Sequence, residues 1–141
     1  MTTDDDALAA AFAGLHREVR AVYGIVARRL GITMQQAELL CALDGRQPSF
    51  GELAALLGCD KTNVTGMVDR LEKRGFLARE ADAADRRITR VVLTGRGSAV
   101  RGDIRAALAE ELAERLPRAD RAPLIAQLTE VASELADSRG V

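Results

Sequence analysis

Lys61, Thr62, Asn63, Thr65 and Gly66 lie close together, and their types can read the edge of a base pair. An asparagine carboxamide pairs bidentately with adenine, a threonine hydrogen-bonds or touches a thymine methyl, and a lysine reaches guanine or a phosphate. Gly66 stands out, because a glycine inside a helix costs about 1 kcal/mol relative to alanine. It either lets a helix lie closer to DNA or answers a packing demand. Arg70, Lys73 and Arg74 follow, placed for phosphates or for ion pairs with Asp69 and Glu72. Bond-making chemistry has no comparable set. His16 is the only histidine, so neither a Ser/His/Asp triad nor a multi-histidine metal site can be assembled. No acid/base pair, metal cluster or phosphate loop is visible. The expectation is a chain that binds and is not an enzyme, with no cofactor and no metal.

These residues need a helix beneath them, and the sequence supplies one. Val64, Met67, Val68 and Leu71 recur at i, i+3, i+4 and i+7, with Asp60 at the N-cap position and Gly75 at the stop. Just before it, Ser49-Phe-Gly-Glu52 reads as a capping box opening a short helix with Leu53, Leu56 and Leu57 inward. Two short helices separated only by Gly58-Cys59-Asp60 have the shape of a helix-turn-helix, whose second helix enters the major groove with its N-terminal part. Phe76 to Glu80 and Arg87 to Leu93 read as two strands of a hairpin, a wing. Its tip, Ala81 to Asp85, has no Asn-Gly pair and is expected to be long and mobile.

Val64-Thr-Gly-Met-Val-Asp-Arg-Leu-Glu-Lys-Arg-Gly75, followed by Asp82-Ala-Ala-Asp-Arg-Arg87 and Val91-Val-Leu-Thr94, resembles the winged helix-turn-helix of the MarR family of bacterial transcription regulators. The likeness in length and helix order runs from about Asp4 to Asp137. It implies a single domain over residues 1–141, mainly α with a small β-hairpin wing. Residues 33–94 would form the DNA-binding unit, and residues 1–30 and 95–141 the dimerisation helices. It also implies a homodimer on double-stranded DNA at a palindromic operator, most often a repressor, released by a small organic effector such as an aromatic acid or phenolic compound. At the wing, Asp85, Arg86 and Arg87 match the family's Asp-x-Arg, in which the arginine at the position of Arg87 reaches a minor groove. Physics agrees, since a narrow A·T-rich minor groove concentrates negative potential. Asp85 would orient that arginine by a fork-shaped salt bridge.

The rest of the chain must hold this unit. Asp4 to about Leu30 reads as one long helix, with Phe12, Leu15, Val19, Val22, Val26 and Leu30 at helical spacing. Thr33-Met-Gln-Gln36 opens a second helix through Leu43, stopped by Asp44-Gly45. Thr94 is an N-cap for a helix carrying Val100, Ile104, Leu108, Leu112 and Leu116, which Pro117 interrupts. A last helix, about Asp120 to Ala136, turns Leu124, Leu128, Val131 and Leu135 inward. These stripes exceed what a winged unit can cover.

Net charge is −1, but residues 59–97 carry nine Lys/Arg against six Asp/Glu, so the positive excess falls on the winged segment, where phosphate would require it. No apolar run approaches a membrane span, and the acidic start Met1–Asp6 is unlike a signal peptide. Cys41 and Cys59 form no CxxC or Cys/His cluster and fit a reducing compartment; the cytoplasm is expected. Three alternatives stay open. His16 and Tyr23, on the first helix, are candidates for touching an effector. Cys59, near a helix N-terminus, or Cys41 would serve a thiol-based redox switch. A winged helix used only for protein contacts would lack salt-dependent DNA binding.

Overall fold

Why each helix starts and stops is visible in its caps. A computed structural model of the protein describes residues 3–139; Met1 and Thr2, the first residues of the acidic start, lie outside the described residues. The first helix, α1 (Thr3–Leu30), has Asp4, Asp5 and Asp6 in its first turn and Arg28 and Arg29 in its last, both favourable to the helix dipole. Gly31, at φ 69°, reverses the chain. Helix α2 (Met34–Ala42) opens on Thr33 and Gln36, with both halves of the capping box made. Helix α3 (Phe50–Leu57) opens on Ser49, whose hydroxyl accepts from Glu52 N–H at 3.2 Å. The Glu52 carboxylate accepts chiefly from the Ser49 hydroxyl and from Arg90, with the Ser49 backbone amide a weaker partner. Helix α4 (Lys61–Lys73) is capped by Asp60, which accepts from Asn63 N–H at 2.9 Å.

Strands β1 (Leu77–Ala81) and β2 (Thr89–Leu93) pair antiparallel, from Leu77 opposite Leu93 to Ala81 opposite Thr89. Against the sequence pattern β1 is shifted by one residue, leaving out Phe76 and taking in Ala81, and β2 is shorter, without Arg87 and Ile88. Helix α5 (Gly95–Arg115) follows a Thr94 cap, and α6 (Arg121–Ser138) carries Pro123 in its first turn, where its missing N–H costs nothing.

The core gathers where the C-terminal part of α1, helix α2, the winged unit and the middle of α5 meet. Val26, Leu39, Leu40, Leu53, Leu71 and Ile104 are all fully buried there, each worth about 1.5–3 kcal/mol relative to exposure. Leu56 and Leu57, expected inward, are only half-buried, and Ala54 takes the buried place beside Leu53.

Helix α5 crosses the turn between α4 and β1 at very close range. Thr94 Oγ1 donates to Gly75 O at 2.6 Å and accepts from Gly97 N–H at 3.0 Å. A Cβ on Gly97 would lie 1.9 Å from Phe76 O, so the crossing requires glycine. Farther along, Arg29 of α1 donates to Glu110 and Glu111 of α5 at 2.9 and 3.0 Å, and Arg115 pairs with the same Glu111.

The sequence pattern placed Leu124, Leu128, Val131 and Leu135 inward, and the chain does not bury them. Their exposures run from 37% to 53%, and α6 has no buried residue. Phe12 and Leu15 of α1 join Leu124, Leu128 and Val131 around an open apolar groove of about 410 Å³. An intramolecular bundle is therefore not what covers the stripe. Among the described residues no helix is long and apolar enough to cross a membrane.

Candidate nucleic-acid interface

Subtracting the buried face of α4 leaves Lys61, Thr62, Asn63 and Thr65 exposed at its N-terminal end. Asp60 fixes that end, and the Asn63 carboxamide makes no hydrogen bond among the described residues. The Thr65 hydroxyl donates back to Lys61 O at 2.8 Å, which leaves its methyl and its lone pairs outward. A groove of about 600 Å³, lined by Asn63, Gly66, Arg70, Thr33 and Cys59 among others, flanks this end on one side. On the other side a groove of about 580 Å³ runs between α3 and the wing, and both Lys61 and Arg87 line it.

Packing within the chain does not require glycine at position 66. A Cβ there would make only an ordinary contact with the Arg70 guanidinium, at 3.6 Å, and that contact shows Arg70 lying back along the helix toward the outward end. Arg70 and Lys73 do not pair with Asp69 and Glu72, as their spacing had allowed. Arg79 of β1 takes both acids instead, at 2.5 and 3.1 Å, with its guanidinium 5.3 Å over the Phe50 ring. Arg74, grouped by sequence with the DNA-facing residues, is also employed within the chain. It is exposed, donates to Gly31 O at 3.2 Å and lies 5.0 Å over the Phe76 ring, so it also ties the far end of α4 to the α1–α2 turn.

The wing tip, expected to be long and mobile, is bridged by Asp82. One carboxylate oxygen accepts from Ala84 N–H at 3.1 Å and from Asp85 N–H at 2.8 Å, and the other from Arg90 Nε at 3.0 Å. The Asp85 N–H and the Arg90 guanidinium hold the Asp82 carboxyl below its ordinary range. Asp85 grips Arg87 at Nε and Nη2, both at 3.0 Å, in the fork expected from the sequence. Arg87 in turn lowers the Asp85 pKa. The Arg87 side chain is nonetheless 90% exposed. It is aimed and unburied. Arg86 beside it is exposed too.

The candidate effector residues are not brought together. His16 is exposed, while Tyr23, farther along α1, is half-buried against Cys41 of α2. Burial above all, with the neighbouring Cys41 and Glu38, pushes the Tyr23 phenol up to about 12. Burial likewise raises the Cys41 thiol, which disfavours the reactive thiolate. Sequence reasoning missed Arg79 and Arg90 altogether. The available signal was acidic: Asp69 and Glu72 share one helix face, and Glu52 stands in a helix's first turn.

Comparison with known proteins bears on this geometry. The MarR family model matches residues 32–89. An HTH-type transcriptional regulator of Bacillus subtilis, YfiV, is 36% identical over 67 residues, which is 47% of this chain and 42% of that protein. The chain thus spans less than half the length of the curated relatives it matches. Wild-type MarR of E. coli is 26% identical over 88% of this chain and 96% of its own, with a TM-score of 0.74. The repressor CouR appears twice. Bound to a 23-mer DNA duplex it is 28% identical, covers 89% and 92% of the two chains and gives a TM-score of 0.69. From Rhodococcus jostii RHA1, bound to p-coumaroyl-CoA, it shares the fold at 20% identity, with 96% of each chain covered and a TM-score of 0.77.

Proposed function

We propose that the chain, which matches the MarR family model over residues 32–89 and shares the fold of MarR, is a MarR-family, homodimeric, sequence-specific regulator of transcription that binds double-stranded DNA, a cytoplasmic repressor released by a small-molecule effector. The observation that carries this reading is Arg87, exposed yet held at two points by Asp85, on the rim of a groove whose other wall includes Lys61 at the outward end of α4. Lys61, Thr62, Asn63 and Thr65 would read a major groove, with Gly66 admitting the backbone and Arg70 alongside. Arg87, aimed by Asp85 with Arg86 next to it, would enter the flanking minor groove. The likeness to CouR on DNA supports the assignment.

For release, the reading is an aromatic acid or other phenolic compound bound beside the terminal helices, with Tyr23 and His16 as the first residues to substitute. CouR, which shares the fold, is seen with p-coumaroyl-CoA. Effector and operator affinities must then be coupled, typically by about 1–3 kcal/mol. Cys59 favours a second version, because it lines the groove beside Asn63 and Arg70. An adduct there would obstruct the reading face, and blocking the thiols of Cys41 and Cys59 separates that version from effector release.

Titration of the protein against operator and flank-substituted DNA at several salt concentrations tests the core of the proposal. Arg87→Ala should weaken binding by about 1–3 kcal/mol, most on A·T-rich flanks, and Asn63→Ala should relax base preference at one step of each half-site. Absence of any salt-dependent DNA binding would leave the protein-contact module as the better reading.

A further inference from the structure

Arg87 stands at the end of a line of charged contacts that begins on α3. The Glu52 carboxylate accepts from Arg90 Nη1 at 2.9 Å, and Arg90 Nε donates to Asp82 at 3.0 Å. The second oxygen of Asp82 accepts from Asp85 N–H at 2.8 Å, and Asp85 grips Arg87. The backbone runs beside this line, since Arg90 forms an isolated β-bridge with Ser49 and Val91 N–H donates to Pro48 O at 2.9 Å. The Arg90 side chain is only 25% exposed, Asp82 is 21% exposed beside it, and Glu52 lies on the more open side at 55%.

From this geometry we infer that Arg90 is a positioning residue, which locks the wing tip to the first turn of α3 so that Arg87 and the outward residues of α4 meet DNA as one rigid frame. The inference rests on the DNA-binding reading above. A loosely hinged wing would let Arg87 find an A·T-rich stretch at several distances from the half-site. A locked wing accepts one distance, so specificity extends to the spacing between two sequence elements and not only to their identity. Arg90 does this without touching DNA.

Arg90→Met keeps the apolar stem and removes the guanidinium. In a double-mutant cycle, the loss caused by Arg87→Ala should be about tenfold or more in the parent and below about threefold with Arg90→Met present. Inserting one base pair between the A·T-rich flank and the half-site should penalise the parent more than Arg90→Met. The salt slope should stay at the parent value, whereas a direct phosphate contact would reduce it by about one. Equal Arg87→Ala losses in both backgrounds, or a reduced slope, overturn the inference. If Arg90→Met fails to fold, Glu52→Gln, which weakens only the α3 side, enters the same cycle. Amide exchange without DNA is an independent arm. Faster exchange at Asp85 and Arg87 in Arg90→Met, with Val92 unchanged, supports the lock, and unchanged exchange at the tip overturns it. A parent that binds no DNA while Arg90→Met still loosens the tip would refute the DNA-binding reading alone.

Discussion

Gly66 and Tyr23 show how much a single side chain, or its absence, carries. An alanine at position 66 would meet the Arg70 guanidinium at 3.6 Å, an ordinary contact with the far end of a flexible side chain. Gly66→Ala should therefore raise stability by about 0.5–1 kcal/mol, the helix propensity of alanine winning over any packing penalty. Denaturant midpoints check it, and a lower midpoint would mean that packing requires the glycine. Tyr23 is the only tyrosine in a chain without tryptophan, so its ionisation can be followed by near-ultraviolet absorbance without interference. Its midpoint should move from 10.0 to about 12. Because the folded state keeps the proton longer than the unfolded one, the stability this phenol contributes is whole below pH 10 and is lost as pH rises toward the folded value. At this scale the sequence was most legible where partners are near in sequence. The Asp85–Arg87 fork and the Asp60 cap both follow from residue type and short spacing. Arg74, Arg79 and Arg90 did not, because their partners, Gly31, Asp69, Glu72 and Glu52, come from other elements and depend on how those elements pack.

Among the elements, periodicity and caps placed all six helices and the hairpin within a few residues. What escaped was how they touch. The box at Ser49 is an example: Glu52 has the right spacing for it, but a charged partner on β2 also takes the carboxylate, at 2.9 Å. The crossing of α5 over the α4–β1 turn is another, since Gly97 looks in sequence like an unfavourable residue near a helix start. Gly97→Ala would force a Cβ to within 1.9 Å of Phe76 O. The backbone must then separate, at a cost of about 1–3 kcal/mol or more. The expected result is a lower melting temperature with α5 still helical by circular dichroism. Ser98→Ala, one residue on and exposed, serves as the control that should leave stability within about 0.5 kcal/mol of the parent. An unchanged melting temperature for Gly97→Ala would mean that α5 does not approach the turn this closely.

For the whole molecule, the sequence showed how much apolar surface the terminal helices carry but not where it lies. Leu8, Phe12, Leu15, Leu124, Ile125 and Leu135 are all exposed in the chain by itself, at 38% to 62%. A chain folded alone leaves them in water, against the usual limit on exposed apolar patches. The homodimer proposed above should therefore appear in sedimentation at micromolar concentration, and Leu128→Glu, on the same stripe, should shift it toward monomer. A compact, well-folded monomer in the parent would refute the assembly. With two subunits, the operator should be an imperfect palindrome whose half-sites lie about 34–36 Å apart, one turn of DNA.

The bareness of α6, which buries no residue of its own chain, then has a consequence for regulation. If the chain pairs on DNA as proposed, subunits that separate at low copy number would leave the pair as the DNA-competent species, and operator occupancy would climb with the square of the protein's abundance rather than in proportion to it. The terminal helices would also melt more readily in the single subunit, because mass action would stabilise only the pair. Halving the gene dose would cut repression by more than half, and scarce subunits would be the first presented to proteases.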